Sequence, residues 1–278
     1  MSHLVIVDFS NIVHTCYHPA IAAQQQGQAA LELHVTTCGV CSLGDPCPSR
    51  PKQYDPQQVF RTNLRLKTET LSQAIHVPVK QWIFVKDGSK QSRLDLFPEY
   101  KSGRTPMTFD AKSIAEEFWR NLGCKFAICP TTEADDSIAT IVRASRPQFD
   151  IIIVSSDADL WTLYDPPGIS IYLPTSKEWL GPARIEKKFG FTNPKFIRLH
   201  KTFFGDSSDH IPNLMPRMQK SIIPIILASD GGLDSVLGPV YSGQASPKAR
   251  EMLIKNEIGV KRNWELVGLN FEADIEWL

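Results

Sequence analysis

The sequence predicts an α/β fold built on a doubly wound, mostly parallel central sheet flanked by helices, with a helical C-terminal region. Three observations lead there. The apolar runs LVIV, WIFV and DIIIV have the length and β-branched composition of strands buried on both faces. The intervening segments are long enough for helical crossovers, which parallel neighbours require. Each run also ends in carboxylates: Asp8 after the first, Asp87 after the second, Asp157 and Asp159 after the third. Ligands of open α/β sheets sit beyond the carboxyl ends of the strands, so these acids are expected to share a site.

Taken in order, the first strand ends at Asp8 and a helix or loop follows from Asn11. A polar stretch at Gln24 to Gln28 leads into a cysteine-containing segment, and residues of about 24–54 read as an insertion between core elements. Asp55-Pro56 opens a helix through VFRTNLRLKTETLSQAI, with proline where its missing N–H costs nothing. A strand over Trp82 to Val85 comes next. The basic segment SKQSRLDLFPEYKSGRTP then precedes a helix at about Asp110 to Leu122, a strand KFAIC, a helix opening in EADDSIATIV, and the strand DIIIV. From about Lys177 the signals are helix and loop. The expected division is a core over 1–176 and a helical region over 177–278 that carries Asp206 and Asp209.

At 278 residues and 42% hydrophobic, the chain can bury a large core and is not a disordered protein. The net charge of zero weighs against a nucleic-acid partner. Setting aside the nine acids of the candidate site leaves 21 acidic residues against 30 basic ones, which restores a positive surface. Met1 leads directly into a strand, and no segment approaches membrane-spanning length. A soluble, cytoplasmic, monomeric protein is expected.

Of six cysteines, Cys16, Cys124 and Cys129 read as ordinary thiols. His34, Cys38, Cys41 and Cys47 fall within HVTTCGVCSLGDPCPSRP, whose spacing admits a structural zinc ion, free thiols or a disulfide. His14 and His18 flank Cys16 and read as surface residues. Arg184, Lys187, Lys188, Lys195, Arg198 and Lys201 form either a basic stripe for a duplex or the solvated face of two helices.

The acids come in five clusters: Asp8; Asp87; Glu133, Asp135 and Asp136; Asp157 and Asp159; Asp206 and Asp209. At a helix start, Glu133 and Asp136 stand one turn apart while Asp135 projects to the side. Any single cluster also has a reading as a helix cap or dipole complement, Asp159 before Leu160 to Leu163 among them. Five clusters together call for compensating cations, because like charges held close raise one another's pKa. Hard carboxylate oxygens suit magnesium or manganese.

In their order these motifs resemble the 5′-nuclease superfamily, the flap endonucleases and 5′-3′ exonucleases with a PIN-like core, and within it the phage RNase H type branch. VDFSN, FVKDG, FPEYKSGR, TEADDSIA, SSDADLWTL and FGDSSDHIP each resemble one of its motifs, from Asp8 to about Lys220. The resemblance implies a PIN-like fold and a first metal site from Asp8, Asp87, Glu133 and Asp135. It implies a second site from Asp157, Asp159 and Asp206, with Asp136 and Asp209 further out. Two Mg²⁺ or Mn²⁺ ions about 4 Å apart would promote in-line hydrolysis of a phosphodiester. Lys101 and Arg104 would meet the scissile phosphate, Tyr100 would stack on a terminal base, and Lys90 and Arg93 would hold other phosphates. The implied partners are DNA 5′ ends, flaps and junctions, an RNA–DNA hybrid, and replication proteins.

Two departures stand out. Where the superfamily carries a glycine-rich helix-three-turn-helix, this chain has NLMPRMQKS, so either Arg217 and Lys220 contact the duplex by side chain or another protein holds it. Only Thr105 to Phe109 separates the basic segment from the next helix, which implies a truncated arch. A PIN-type single-strand ribonuclease and a metal-dead nucleic-acid-binding accessory protein are the competing readings.

Overall fold

The computed structural model describes residues 2–37, 51–103 and 105–278. Among these residues, seven strands form one sheet in the order β6-β5-β4-β1-β2-β3-β7. They are β1 (His3–Asp8), β2 (Trp82–Lys86), β3 (Lys125–Ile128), β4 (Asp150–Val154), β5 (Ile169–Leu173), β6 (Glu178–Trp179) and β7 (Glu276–Trp277). The central five run parallel, and the two short edge strands run antiparallel. The chain moves outward from β1 through β2 to β3 and then returns to place β4 on the other side of β1. That reversal opens a crevice at the carboxyl ends of β1 and β4, where Asp8 and Asp157 lie.

Alternate residues of each strand face opposite layers, so helices can cover both faces of the sheet. Val5, Val7, Trp82, Phe84 and Phe126 pack against α1 (Phe9–Thr37), α2 (Pro56–Ile75) and α4 (Ala111–Asn121). Phe84 stacks on Trp119 of α4 with ring centroids 4.3 Å apart. Ile6, Ile83, Ile151, Ile153 and Ile171 face the other way. They share one apolar core with α5 (Ala134–Ser145), which covers the sheet, and with α6 (Pro182–Phe189), α7 (Ile197–Phe204), α8 (Gln219–Ala228), α9 (Asp234–Tyr241) and α10 (Pro247–Leu266). A short helix, α3 (Gln91–Leu96), lies beyond β2.

The caps follow the sequence. Asp55 accepts a hydrogen bond from the Gln57 amide ahead of Pro56, and Asp110 accepts from the Ser113 amide. One boundary differs from expectation. The Gln24 to Gln28 stretch is helical, because α1 continues from Phe9 to Thr37 through a run of alanine, glutamine and leucine, all good helix formers. Cys38, Cys41 and Cys47, the candidate ligands of the 24–54 insertion, lie outside the described residues. His34 sits half-buried in the last turn of α1.

The C-terminal region adds sheet edges that its composition did not suggest. Asn270, Ala273 and Leu278 hydrogen-bond to Asp136, Thr140 and Phe126, so the segment after α10 straps the outer face of α5 and the β3 edge. Among the described residues, no helix is long and apolar enough to cross a membrane.

A candidate metal centre framed by buried cations

The acids converge because each ends an element pointing at the same crevice. Asp8 is the last residue of β1, and Asp87 follows β2. Gly88 then turns the chain where any Cβ would lie 1.9 Å from the Cys129 carbonyl oxygen, so no other residue fits without moving Asp87. Asp135 and Asp136 sit in the first turn of α5 with Glu133 as N-cap. Asp157 and Asp159 follow β4, and Asp206 and Asp209 follow α7. Gly205 has φ 74° and ψ −178°, a glycine conformation, with the Ile211 carbonyl 2.4 Å from where a Cβ would stand.

The cluster divides into three groups by the company it keeps. Asp135, Asp157 and Asp159 bring carboxylate oxygens within 4.8 Å of one another, close enough to share one ion. Asp8 is hydrogen-bonded by the Ser155 hydroxyl at 2.8 Å and the Asn11 amide at 3.0 Å, and Asp87 by the Ser10 hydroxyl. Burial, reinforced by Asp87 and Asp157, pushes the Asp8 carboxyl up to about 7. Burial, with Asp157 and Asp8 adding to it, raises Asp135 well above the usual carboxylate range. Both shifts express crowded negative charge, and the donor set is all hard oxygen. These residues fit Mg²⁺ or Mn²⁺.

The second group carries its own cations. Glu133 accepts from Arg93 at 2.6 Å, from Lys101 at 2.8 Å and from the Tyr100 hydroxyl at 3.0 Å. Arg93 reaches Asp136 at 2.9 Å and donates to the Leu266 and Gly268 carbonyl oxygens. Lys101 stands 3.8 Å from Asp209, which also accepts from Tyr100 at 3.3 Å. Burial opposes ionisation of Glu133, but the Lys101 and Arg93 charges win and hold it below its usual value.

Two of the residues expected at the nucleic acid are engaged with the acids. Arg93 is buried and spends its guanidinium on two carboxylates and two carbonyls. Tyr100 is buried too, and its hydroxyl donates to Glu133 and Asp209. Lys101 is buried yet borders the open cavity. Lys90 is exposed at the cavity rim, whereas Arg217, just before α8, and Lys220, in its first turn, lie exposed outside the cavity lining. Arg217 adopts φ 65°, a left-handed conformation uncommon for a residue with a Cβ. Arg104 lies outside the described residues.

The third group contains the residue whose part the sequence concealed. Lys201 ion-pairs with Asp159, and with Asp206 at 2.6 Å. Burial opposes the Asp206 charge, yet Lys201 overcomes it and brings the carboxyl down to about 2. Asp159 remains at about 6, because burial and Asp157 outweigh Lys201. A signal existed: Lys201 stands four residues after Ile197 and three before Phe204, on the apolar face of an amphipathic helix.

The cavity beside Asp8 measures about 1150 Å³. It runs from the acids past His14 and His18, whose rings stack 5.3 Å apart on α1, to Met107, Phe109 and Lys112. The segment from Thr105 to Asp110 joins α4 directly, with no helix of its own.

A pH dependence follows for the chelated protein. Asp8 binds its proton up to about pH 7 when folded and only near 3.8 when unfolded, so its contribution is complete below 3.8 and lost as pH rises through 7. His200, lowered to about 4 by burial, acts oppositely up to its ordinary 6.5. The net loss should therefore dominate above about pH 6.5. Thermal midpoints in chelator should fall from pH 6.5 to 7.5, and saturating Mg²⁺ should abolish the fall. A midpoint that climbs in chelator would contradict the assignment.

An α/β protein that collects carboxylates at the switch point of a parallel sheet is a metal-site protein by architecture. The chain belongs to the 5′-3′ exonuclease family: the model for its N-terminal resolvase-like domain matches residues 51–190. The flap endonuclease Xni of Shewanella oneidensis is 35% identical over 145 residues, 50% of this chain and 54% of that protein. The chain thus spans about half the length of that relative in the match. The flap endonuclease Xni of Aeromonas salmonicida is 26% identical over 254 residues, 88% of this chain and 83% of it. The fold matches the bacteriophage T5 5′-exonuclease crystallised with zinc, with TM-score 0.63 and 18% identity over 95% of this chain and 89% of that one. A T5 flap endonuclease in a product-like complex with DNA and metal ions gives TM-score 0.61 at 18% identity, covering 95% and 88%.

Proposed function

We propose that this protein is a divalent-metal-dependent 5′ nuclease that hydrolyses phosphodiester bonds at DNA 5′ ends, flaps or RNA-primed junctions. The observation that carries the reading is the convergence of Asp8, Asp135, Asp157 and Asp159 in one crevice, where the Asp8 carboxyl rises to about 7. Such a pocket is stable in its ionised form only with bound cations. Asp8, Asp87, Asp135 and Asp157 would hold one Mg²⁺ or Mn²⁺ ion, with Asp159 and Asp206 toward a second.

When bound, the ions supply a deprotonated water at neutral pH and offset charge developing on the phosphate oxygens. The chain's own groups do the rest. Ser155 and Asn11 fix the Asp8 carboxylate, Ser10 fixes Asp87, and Arg93 and Lys101 fix Glu133 at the cavity wall. Lys101 and Lys90 place positive charge along the cavity wall, where phosphates of an entering strand would lie. Exposed Arg217 and Lys220 would meet the duplex backbone. Names of the relatives, flap endonucleases among them, agree with this substrate class. A monomer in the cytoplasm completes the reading.

The test is cleavage of a 5′-flap DNA, an RNA–DNA hybrid, single-stranded DNA and single-stranded RNA, each with Mg²⁺ or with chelator. Metal-dependent release from the flap or hybrid is the expected result. Cleavage confined to single-stranded RNA would replace it with a ribonuclease, and binding without cleavage of any substrate would replace it with an accessory protein.

A further inference from the structure

The nine acids are not equally in need of a metal ion. Glu133, Asp136 and Asp209 are matched by Arg93 and Lys101, and Asp159 and Asp206 by Lys201. Among the described residues, Asp8, Asp135 and Asp157 have no ion-pair partner, and Asp87 has only Lys112, half exposed at 3.4 Å. Asp159 belongs to both worlds: its carboxylate lies within 4.8 Å of Asp135 and Asp157 and also pairs with Lys201.

Resting on the metal-dependent reading above, we infer that Lys201 is a tethered cation in the place of a second metal ion. This chain then binds one divalent ion tightly, at Asp8, Asp135 and Asp157, and admits another only by displacing the Lys201 ammonium from Asp159 and Asp206. Lys201 is 4% exposed, so its charge is not shared with solvent. Its helix is pinned on both sides. Asn263 donates to the Thr202 carbonyl at 3.1 Å, and the Leu214 and Met215 amides donate to the Phe203 carbonyl at 3.1 Å. With that backbone fixed, only the flexible four-carbon stem can move the ammonium away. Lys188, whose ammonium lies 5.3 Å above the Trp161 ring, adds positive charge that acts on Lys201 and Asp206. An ion entering between Asp159 and Asp206 meets this charge at short range, where the effective dielectric constant is well below that of water.

Mn²⁺ binding to the full chain, followed by titration calorimetry and by electron paramagnetic resonance of the free ion, tests this without substrate. Wild type should take up one Mn²⁺ per chain, with any second step at least about tenfold weaker. Lys201→Gln should tighten the second step by about tenfold or more and leave the first unchanged, while Lys201→Arg should keep the wild-type pattern. Two equal sites in the wild type, or a second step unmoved in Lys201→Gln, would overturn the inference and leave the nuclease reading standing. No Mn²⁺ bound by wild type at all would remove the nuclease reading itself. Should Lys201→Gln not fold by circular dichroism, the wild-type isotherm alone decides between one tight site and two.

Discussion

Asp135→Asn should lower cleavage by about 10²- to 10⁴-fold, the equivalent of several kcal/mol of lost charge stabilisation. It should also raise the thermal midpoint of the metal-free protein at neutral pH. The two effects have one cause. Asp135 sits half-buried beside Asp157 and Asp8, so its charge is useful to a cation and unfavourable without one. An amide of the same shape ends both conditions. Asp206→Asn should behave oppositely in chelator, because Lys201 holds that carboxyl down at about 2 and ionised Asp206 therefore stabilises the fold at neutral pH. Single-turnover cleavage of a 5′-flap DNA in Mg²⁺, beside thermal unfolding in chelator, reads both. Full cleavage by Asp135→Asn would remove that residue from the metal centre. Equal stability shifts in the two variants would remove the electrostatic account of the cluster.

What the sequence disclosed and what it concealed follow from how each residue is placed. Asp8, Asp87 and Asp157 are legible because buried strands are short apolar runs and their ends are marked by the first carboxylates. The first turn of α5 is legible as well. Helical spacing puts Glu133 and Asp136 on one face, and the structure has Arg93 bridging those two while Asp135 turns to Asp157 and Asp159. The cations were harder. A lysine in a helix is ordinarily solvated, and Lys201 shares its neighbourhood with Lys187, Lys188 and Lys195, so linear charge density suggested a stripe. Only its position among Ile197, Phe203 and Phe204 on the buried face separates it from them. The strap over α5 has no periodic signature, because Asn270 and Ala273 act through backbone amides.

Arg93→Met should cost about 3–5 kcal/mol of stability, the range for removing one partner of a buried ion pair. The guanidinium is the hinge pin of three elements: it leaves α3, meets Glu133 and Asp136 at the start of α5, and donates to the Leu266 and Gly268 carbonyls at the end of α10. Methionine fills a similar volume but strands Asp136, whose remaining donor is the Asn270 amide at 2.9 Å. Glu133 keeps Lys101 and Tyr100, so Asp136 is where the cost concentrates. Adding Asp136→Asn to Arg93→Met should then recover part of the loss, since an amide is far less costly to bury than an unpaired charge. Denaturant unfolding of the two singles and the double measures the coupling. The alternative role, a phosphate contact, makes a different prediction: KM for a flap substrate would rise while stability stayed within about 0.5 kcal/mol of wild type, as for a surface substitution. A stable Arg93→Met with raised KM would return Arg93 to the nucleic-acid interface. A destabilised one with partial rescue by Asp136→Asn would fix it as the pin that aims the acidic helix at the crevice.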